Sequence, residues 1–150
     1  MRYLSLVLPF VLAACASAAR APAPTDVSDA AAAQAAGLAL KMVGKPYRYG
    51  GAAPSGFDCS GLVYFSFDQM GVKVPRTAAD QRKAAEKVSP DDLEPGDLLF
   101  FRSSKGRVDH VGIYAGDGRF IHAPNAGSVV SYAYLDAPYY RSHFVGAGRF

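Results

Sequence analysis

An α+β fold is predicted by a change of hydrophobic period along the chain and by the residues that punctuate it. Up to about Ser89 the apolar residues recur at helical spacing; beyond it they alternate between turn signals, as strands do. Helices first and an antiparallel sheet later is an α+β arrangement. At 150 residues the chain suffices for one compact domain, and 50% apolar or aromatic content supplies a core.

The helices come in order. From Asp29 to Val43 an Ala-rich segment places Ala35, Leu38, Ala39, Met42 and Val43 on one face, with Ser28 or Asp29 as N-cap and Gly44 as stop. Tyr47 to Gly56 reads as loop. A second helix starts at Cys59, because Leu62, Val63, Ser66, Phe67 and Met70 follow it at +3, +4, +7, +8 and +11. It ends near Gly71. A short extended link, Val72 to Pro75, leads to a more polar third helix over Thr77 to Lys87, with Thr77 and Asp80 in its first turn.

The strands follow. Pro95-Gly96 turns into a strand over Asp97–Phe101, and Val108–Ala115 and Arg119–Ala123 form a hairpin around Gly116-Asp117-Gly118. Ser128–Tyr132 and His143–Gly148 are the remaining strands expected. There is no internal repeat.

The first residues belong to no fold. Arg2 precedes an almost continuously apolar or small stretch, Tyr3 to Ala14, of signal-peptide length. Its end, Leu12-Ala13-Ala14-Cys15, is similar to the lipobox of bacterial lipoproteins. That resemblance implies a signal peptide over 1–14, cleavage before Cys15, diacylglycerol on its sulfur and an acylated amine, together a firm anchor. The competing expectation is an ordinary secretory signal cut after Ala16-Ser17-Ala18. Residues 15–30, with Pro22 and Pro24, read as a lipidated end and tether, and 31–150 as the folded domain. Ala16 after the cysteine, where no Asp signals inner-membrane retention, points to the periplasm-facing outer membrane of a two-membrane envelope.

Net charge is +3 with both signs spread along the chain, and there is no basic run interleaved with aromatics. Nucleic-acid binding is therefore not expected.

The cysteines and histidines carry the chemistry. Cys59 sits at a helix start, where exposed backbone N–H groups favour thiolate; a buried core thiol is the alternative. If Cys15 carries lipid, Cys59 has no disulfide partner, and a lone thiol in an exported domain points to reactivity. His110 and His122 lie on one face of the hairpin. A loop centred on Gly116 pairs them directly. A loop centred on Asp117 pairs Gly112 with His122 and leaves His110 diagonal to it. Gly112 would leave room for a substrate or a ring. Spacings typical of zinc sites are absent, so no metal or other cofactor is expected. The pattern fits a relay in which Cys59 attacks, His110 takes its proton and His122 orients His110. His143 reads as a surface or edge-strand residue.

Six motifs occur in order: Pro46-Tyr47-Arg48-Tyr49-Gly50-Gly51, Asp58-Cys59-Ser60-Gly61-Leu62-Val63, Pro75-Arg76-Thr77, Leu93 to Phe101, His110-Val111-Gly112-Ile113-Tyr114 and Phe120-Ile121-His122-Ala123. Together they resemble the NlpC family of bacterial papain-like cell-wall cysteine peptidases, and most closely its small murein endopeptidase lipoproteins. The resemblance implies a circularly permuted papain-like fold, with N-terminal helices on a C-terminal antiparallel sheet. It implies Cys59 as nucleophile, His110 as base and His122 as the third member. Tyr47 matches an oxyanion-binding tyrosine; Asp58 and Ser60 match substrate-recognition positions, although Asp58 could equally cap its helix. The substrate implied is the peptidoglycan stem peptide or cross-link, cut at γ-D-glutamyl–diaminopimelate or D-alanyl–diaminopimelate bonds through a thioester. A silent wall-binding lipoprotein and a papain-like amidase or acyltransferase are the other readings. A regulatory protein partner is left open. Pro124-Asn125-Ala126-Gly127 matches no assigned motif and is expected to shape specificity.

Overall fold

The computed structural model describes residues 27–103 and 106–150. The signal peptide, Cys15 and the tether up to Asp26 lie outside the described residues. Among the described residues no helix is long and apolar enough to cross a membrane.

Helix α1 spans Val27–Lys41, starting two residues ahead of the expected Asp29. Its buried stripe is Ala32, Ala35, Ala36 and Ala39. Leu38 and Met42 are only half-buried and Val43 is exposed, so the expected stripe of larger residues is displaced. The reason is close approach. Small side chains let the α1 backbone press against the turn at Gly96, where any Cβ would overlap Ala32.

The stretch expected as loop contains a miniature hairpin, β1 (Ala52–Ala53) with β2 (Gly56–Phe57). It positions Tyr47: the Arg48 N–H donates to Phe57 O at 2.9 Å and the Phe57 N–H to Pro46 O at 3.1 Å. Helix α2 spans Cys59–Asp68, starting where its spacing predicts, and buries Leu62, Val63, Ser66 and Phe67. It ends short of the expected Gly71, so that Met70 lies beyond it. Helix α3 spans only Ala78–Ala84, capped by the Thr77 hydroxyl. The third helix therefore stops short of Lys87, because Ala85 turns extended and Glu86–Val88 becomes strand β3.

After a 3-10 turn at Pro90–Asp92 come β4 (Leu98–Arg102), β5 (Val108–Gly116), β6 (Arg119–His122) and β7 (Ser131–Tyr134). Helix α4 (Pro138–His143) and β8 (Phe144–Arg149) complete the order. The sheet is antiparallel, ordered β3-β8-β4-β5-β6-β7. Strand β7 begins three residues later than the expected Ser128. Helix α4 occupies the segment before β8, and His143 is its last residue.

Alternation along the strands splits the core. Leu98, Phe100, Val111, Ile113 and Ile121 face α1 and α2, joining Ala35, Leu62, Val63 and Phe67. Leu99, Phe101 and Phe120 point the other way and are covered by Tyr140 and Phe144. Arg149 of β8 holds the Asp97 carboxylate, which is 1% exposed, through contacts of 2.7 and 2.9 Å. The Glu94 N–H adds a 2.7 Å bond to the same carboxylate. This pair fastens the start of β4 to the end of β8, and it raises the Arg149 pKa above its usual value.

The hairpin register is the one centred on Asp117: Ile113 opposes Ile121 and Tyr114 opposes Phe120. Asp117 and Gly118 both have positive φ, 53° and 71°, as a two-residue primed turn demands. The register shifts between Tyr114 and Gly116 on β5.

Candidate active site

Helix α2 begins where Asp58 caps it. The Asp58 Oδ1 accepts the Gly61 N–H at 2.7 Å, and Oδ2 accepts the Gly50 N–H at 3.0 Å. A Cβ on Gly61 would overlap the Gly51 carbonyl, so glycine is required for the loop to fold over the helix start. Arg76 grips the same carboxylate with two nitrogens at 2.9 and 2.8 Å and donates to the Ser60 hydroxyl at 3.0 Å. Gln81, fully buried, donates to Ser60 O and Pro75 O at 3.1 and 2.8 Å. Asp58 and Ser60 are thus members of a brace that fixes the first turn of α2. Gln81 escaped sequence reasoning; a lone amide in a polar helix carries no signal.

Cys59 stands at the first helical position, half-buried and free. Its own N–H has no intrahelical partner there. The thiol donates to the Asp109 carbonyl oxygen at 3.8 Å. That contact depends on a bulge: β4 pairs Phe101 with His110 and Arg102 with Val108, which leaves Asp109 unpaired. The bulge turns the backbone beside His110 toward the helix. Burial pushes the Cys59 thiol above its ordinary value, and the Asp58 carboxylate adds to this. Backbone N–H groups at Val111, Ser60 and Cys59 pull the other way without prevailing. The thiolate expected from the helix start alone is therefore not the resting form. Tyr47 lies near enough for the sulfur's charge to oppose its ionisation, after burial as the larger cause, so its hydroxyl keeps its proton.

His110 and His122 are diagonal across the hairpin, and their rings meet. His110 Nε2 and His122 Nδ1 are 2.8 Å apart. His122 is 2% exposed, and its Nε2 lies 3.4 Å from the Tyr140 hydroxyl. The space over Gly112 is filled by the Phe120 ring, which a Cβ would overlap, so the room there serves a ring and not a substrate. Phe120 and Tyr140 pack edge-on against His122 at 5.0 and 5.4 Å between centroids. Burial lowers His110 to about 4, against a weaker opposing pull from Asp109. Burial also lowers His122 to about 3, with His110 adding to it. Both rings are neutral at pH 7. For His110 to accept a proton at Nδ1, its Nε2–H must donate to His122 Nδ1, and His122 Nε2–H then faces Tyr140.

Tyr140 was not legible from periodicity, because α4 has six residues. Pro138 at its first turn was the available signal. His143 makes no contact with the histidine pair; it stacks on Tyr139 with centroids 4.2 Å apart. Among the described residues no cluster of His, Cys, Asp or Glu has a metal-holding arrangement.

A thiol, a neutral imidazole in contact with a second one, and a backbone N–H and a phenol near the sulfur are the parts of a nucleophilic acyl-transfer site. Residues 44–149 match the NlpC/P60 family. The chain is 43% identical over 115 residues to the murein DD-endopeptidase MepH of Escherichia coli K12, covering 73% of this chain and 42% of that protein. It is 45% identical over 114 residues to the bifunctional muramidase/DL-endopeptidase CwlT of Bacillus subtilis 168, covering 74% and 34% respectively. The match spans less than half of either relative. Among solved structures, an NlpC/P60 family protein from Bacillus cereus superposes with a TM-score of 0.76 at 35% identity, over 79% of this chain and 40% of that one.

Proposed function

Since the chain belongs to the NlpC/P60 family, we propose that it is a cell-wall hydrolase of cysteine type that cuts peptidoglycan stem peptides or their cross-links. The observation that carries this reading is the 2.8 Å contact between His110 Nε2 and His122 Nδ1, which occupies one nitrogen of His110 and leaves Nδ1 without a ring partner. The bulged residue before His110 meets the Cys59 sulfur.

On this reading His110 Nδ1 takes the Cys59 proton as the sulfur attacks the scissile carbonyl carbon. The developing oxyanion is held by the Cys59 N–H and the Tyr47 hydroxyl. Collapse expels the amine, which takes the proton back from His110 and leaves a thioester on Cys59. Water, deprotonated by His110, then attacks the thioester; the acid product departs and the thiol re-forms. His122 keeps His110 in its tautomer throughout. Asp58, Ser60 and Arg76 hold the nucleophile's helix and border the acyl side of the cleft.

The bond is a γ-D-glutamyl–diaminopimelate or D-alanyl–diaminopimelate linkage. The names of the two relatives above cover both DL and DD cutters. The mature chain begins at lipidated Cys15 and faces the periplasm from the outer membrane; loss of labelled palmitate in Cys15→Ser is the check. Digestion of purified sacculi tests the activity. The wild-type domain should release new muropeptides and Cys59→Ala none; equal release by both would dismiss the peptidase reading.

A further inference from the structure

A groove of about 890 Å³ lies between helix α3, strand β3 and the first residues of β5 and β8. None of the residues given a catalytic role above lines it. Its rim is cationic. Arg82 and Lys83 come from α3, Lys87 from β3 and Arg107 from just before β5, and all four are exposed. Among the described residues Asp109 is the one carboxylate that lines the groove, and one of its oxygens already accepts the Ser103 N–H at 2.9 Å. Four cations against one carboxylate give this single groove as much net charge as the whole chain, +3.

The cations are also unspent. Among the described residues Arg82, Lys87 and Arg107 enter no ion pair, and Lys83 has only Asp80 at 3.5 Å. Like charges gathered in this way repel one another, a cost that an anion lying between them relieves. Arg82 is set in place for that contact. Its guanidinium donates to Val145 O at 3.1 Å, reaching from α3 to β8 across the groove.

The floor narrows the ligand. Val88, Val108, Val145 and Ala147 make it apolar. Among the described residues no aromatic side chain lines the groove, so a nucleic-acid base finds no platform on which to stack. A small inorganic anion would leave the floor bare. A chain of oxyanions on a carbon backbone uses both features, its carbon segments resting on the valines while its charges meet the rim. Asp109 belongs to the groove and to the catalytic site at once, since its carbonyl oxygen takes the Cys59 thiol at 3.8 Å. A chain held in the groove therefore lies alongside the nucleophile without covering it.

We propose that this groove is an exosite for a linear polyanion with an organic backbone, bound through Arg82, Lys87 and Arg107. The requirement is a repeated oxyanion, carboxylate or phosphate, because a guanidinium forks onto either. The exosite is independent of which bond the catalytic site cuts.

Binding is measured on the full chain carrying Cys59→Ala. Fluorescently labelled poly-L-glutamate, poly(glycerol phosphate) and single-stranded DNA of matched charge are followed by anisotropy between roughly 50 and 200 mM salt. At least one of the two non-nucleic polymers should bind, with an affinity that falls about tenfold or more over that range as counterions cease to drive the contact. The tighter of the two identifies the oxyanion. Arg82→Gln/Lys87→Gln should weaken binding about tenfold and lower the slope of log affinity against log salt by about two, one for each contact removed. Lys87→Gln/Arg107→Gln keeps the Arg82–Val145 bond and should do the same, which separates lost charge from a loosened α3. Lys41→Gln/Lys45→Gln removes equal charge outside the groove and should bind as the parent does. No binding of either polymer, equal weakening by the Lys41 and Lys45 changes, or DNA binding tighter than both polymers overturns the exosite. Failure to release muropeptides bears on the peptidase reading alone, while these titrations judge only the groove.

Discussion

Cys59 receives opposing influences from its surroundings. The helix start offers it backbone N–H groups, yet burial and the Asp58 carboxylate outweigh them and hold the thiol above its ordinary value. A half-buried thiol held neutral in this way ionises only as it attacks. The rate of Cys59 alkylation by iodoacetamide should therefore climb steadily between pH 6 and 9; a flat rate below pH 7 would reveal a standing thiolate and contradict this. Tyr140→Phe keeps the ring that packs on His122 and removes only its hydroxyl. We expect kcat to fall about tenfold, the scale of one hydrogen bond to a group that orients the base, with KM and Tm nearly unchanged. A parallel loss of Tm would assign the hydroxyl to stability instead. Cys59, His110 and His122 were legible as chemistry because each stands at a position where helical or strand period is strong. Asp58 was legible as a cap. Tyr140 and Gln81 were not, since their importance comes from partners that are distant along the chain.

At the scale of elements, strong local patterns were read correctly and tertiary overrides were not. Helix α2 and the β5–β6 hairpin follow from period and from Asp117-Gly118. The sequence left two registers open, and the turn's positive φ values select one of them. The third helix was extended too far because Glu86 and Lys87 suit a helix as well as a strand; pairing with β8 decides the matter. The stripe on α1 was misplaced for a different reason. Size was weighted over fit, whereas alanines win where two backbones must touch. The Arg149–Asp97 pair ties β8 to β4, and neither residue's role shows in local pattern. Arg149→Leu strands a carboxylate that is 1% exposed, and a loss of about 3 kcal/mol in denaturant unfolding is expected. A loss below about 1 kcal/mol would mean that Glu94 and water compensate.

For the molecule as a whole, the histidine pair couples activity to acid tolerance. His110 and His122 are lowered to about 4 and about 3 in the fold, while in the unfolded chain both titrate near 6.5. Between those values the unfolded state binds more protons, so stability is complete above pH 6.5 and drains as pH falls toward 4. The urea midpoint should drop across that window, and His122→Asn should flatten the drop. An unchanged midpoint from pH 7 to 4.5 would contradict the buried, neutral pair. The α+β class and the order of helices before sheet were legible because each half keeps one period; the strand order was not, since it depends on pairings across many residues.

That order has a temporal consequence. Strand β8 lies between β3 and β4, inside the sheet, although it follows every other described strand along the sequence. Until Phe144–Arg149 has arrived, β3 and β4 have no neighbour between them. A chain made from its N-terminus therefore presents Cys59 before His110 and His122, and all three before the strand that closes the sheet. The long-range closure is slow compared with local helix formation. The order of the sequence thus sets the assembly of the site late, since the sheet that carries both histidines is complete only once β8 has taken its place.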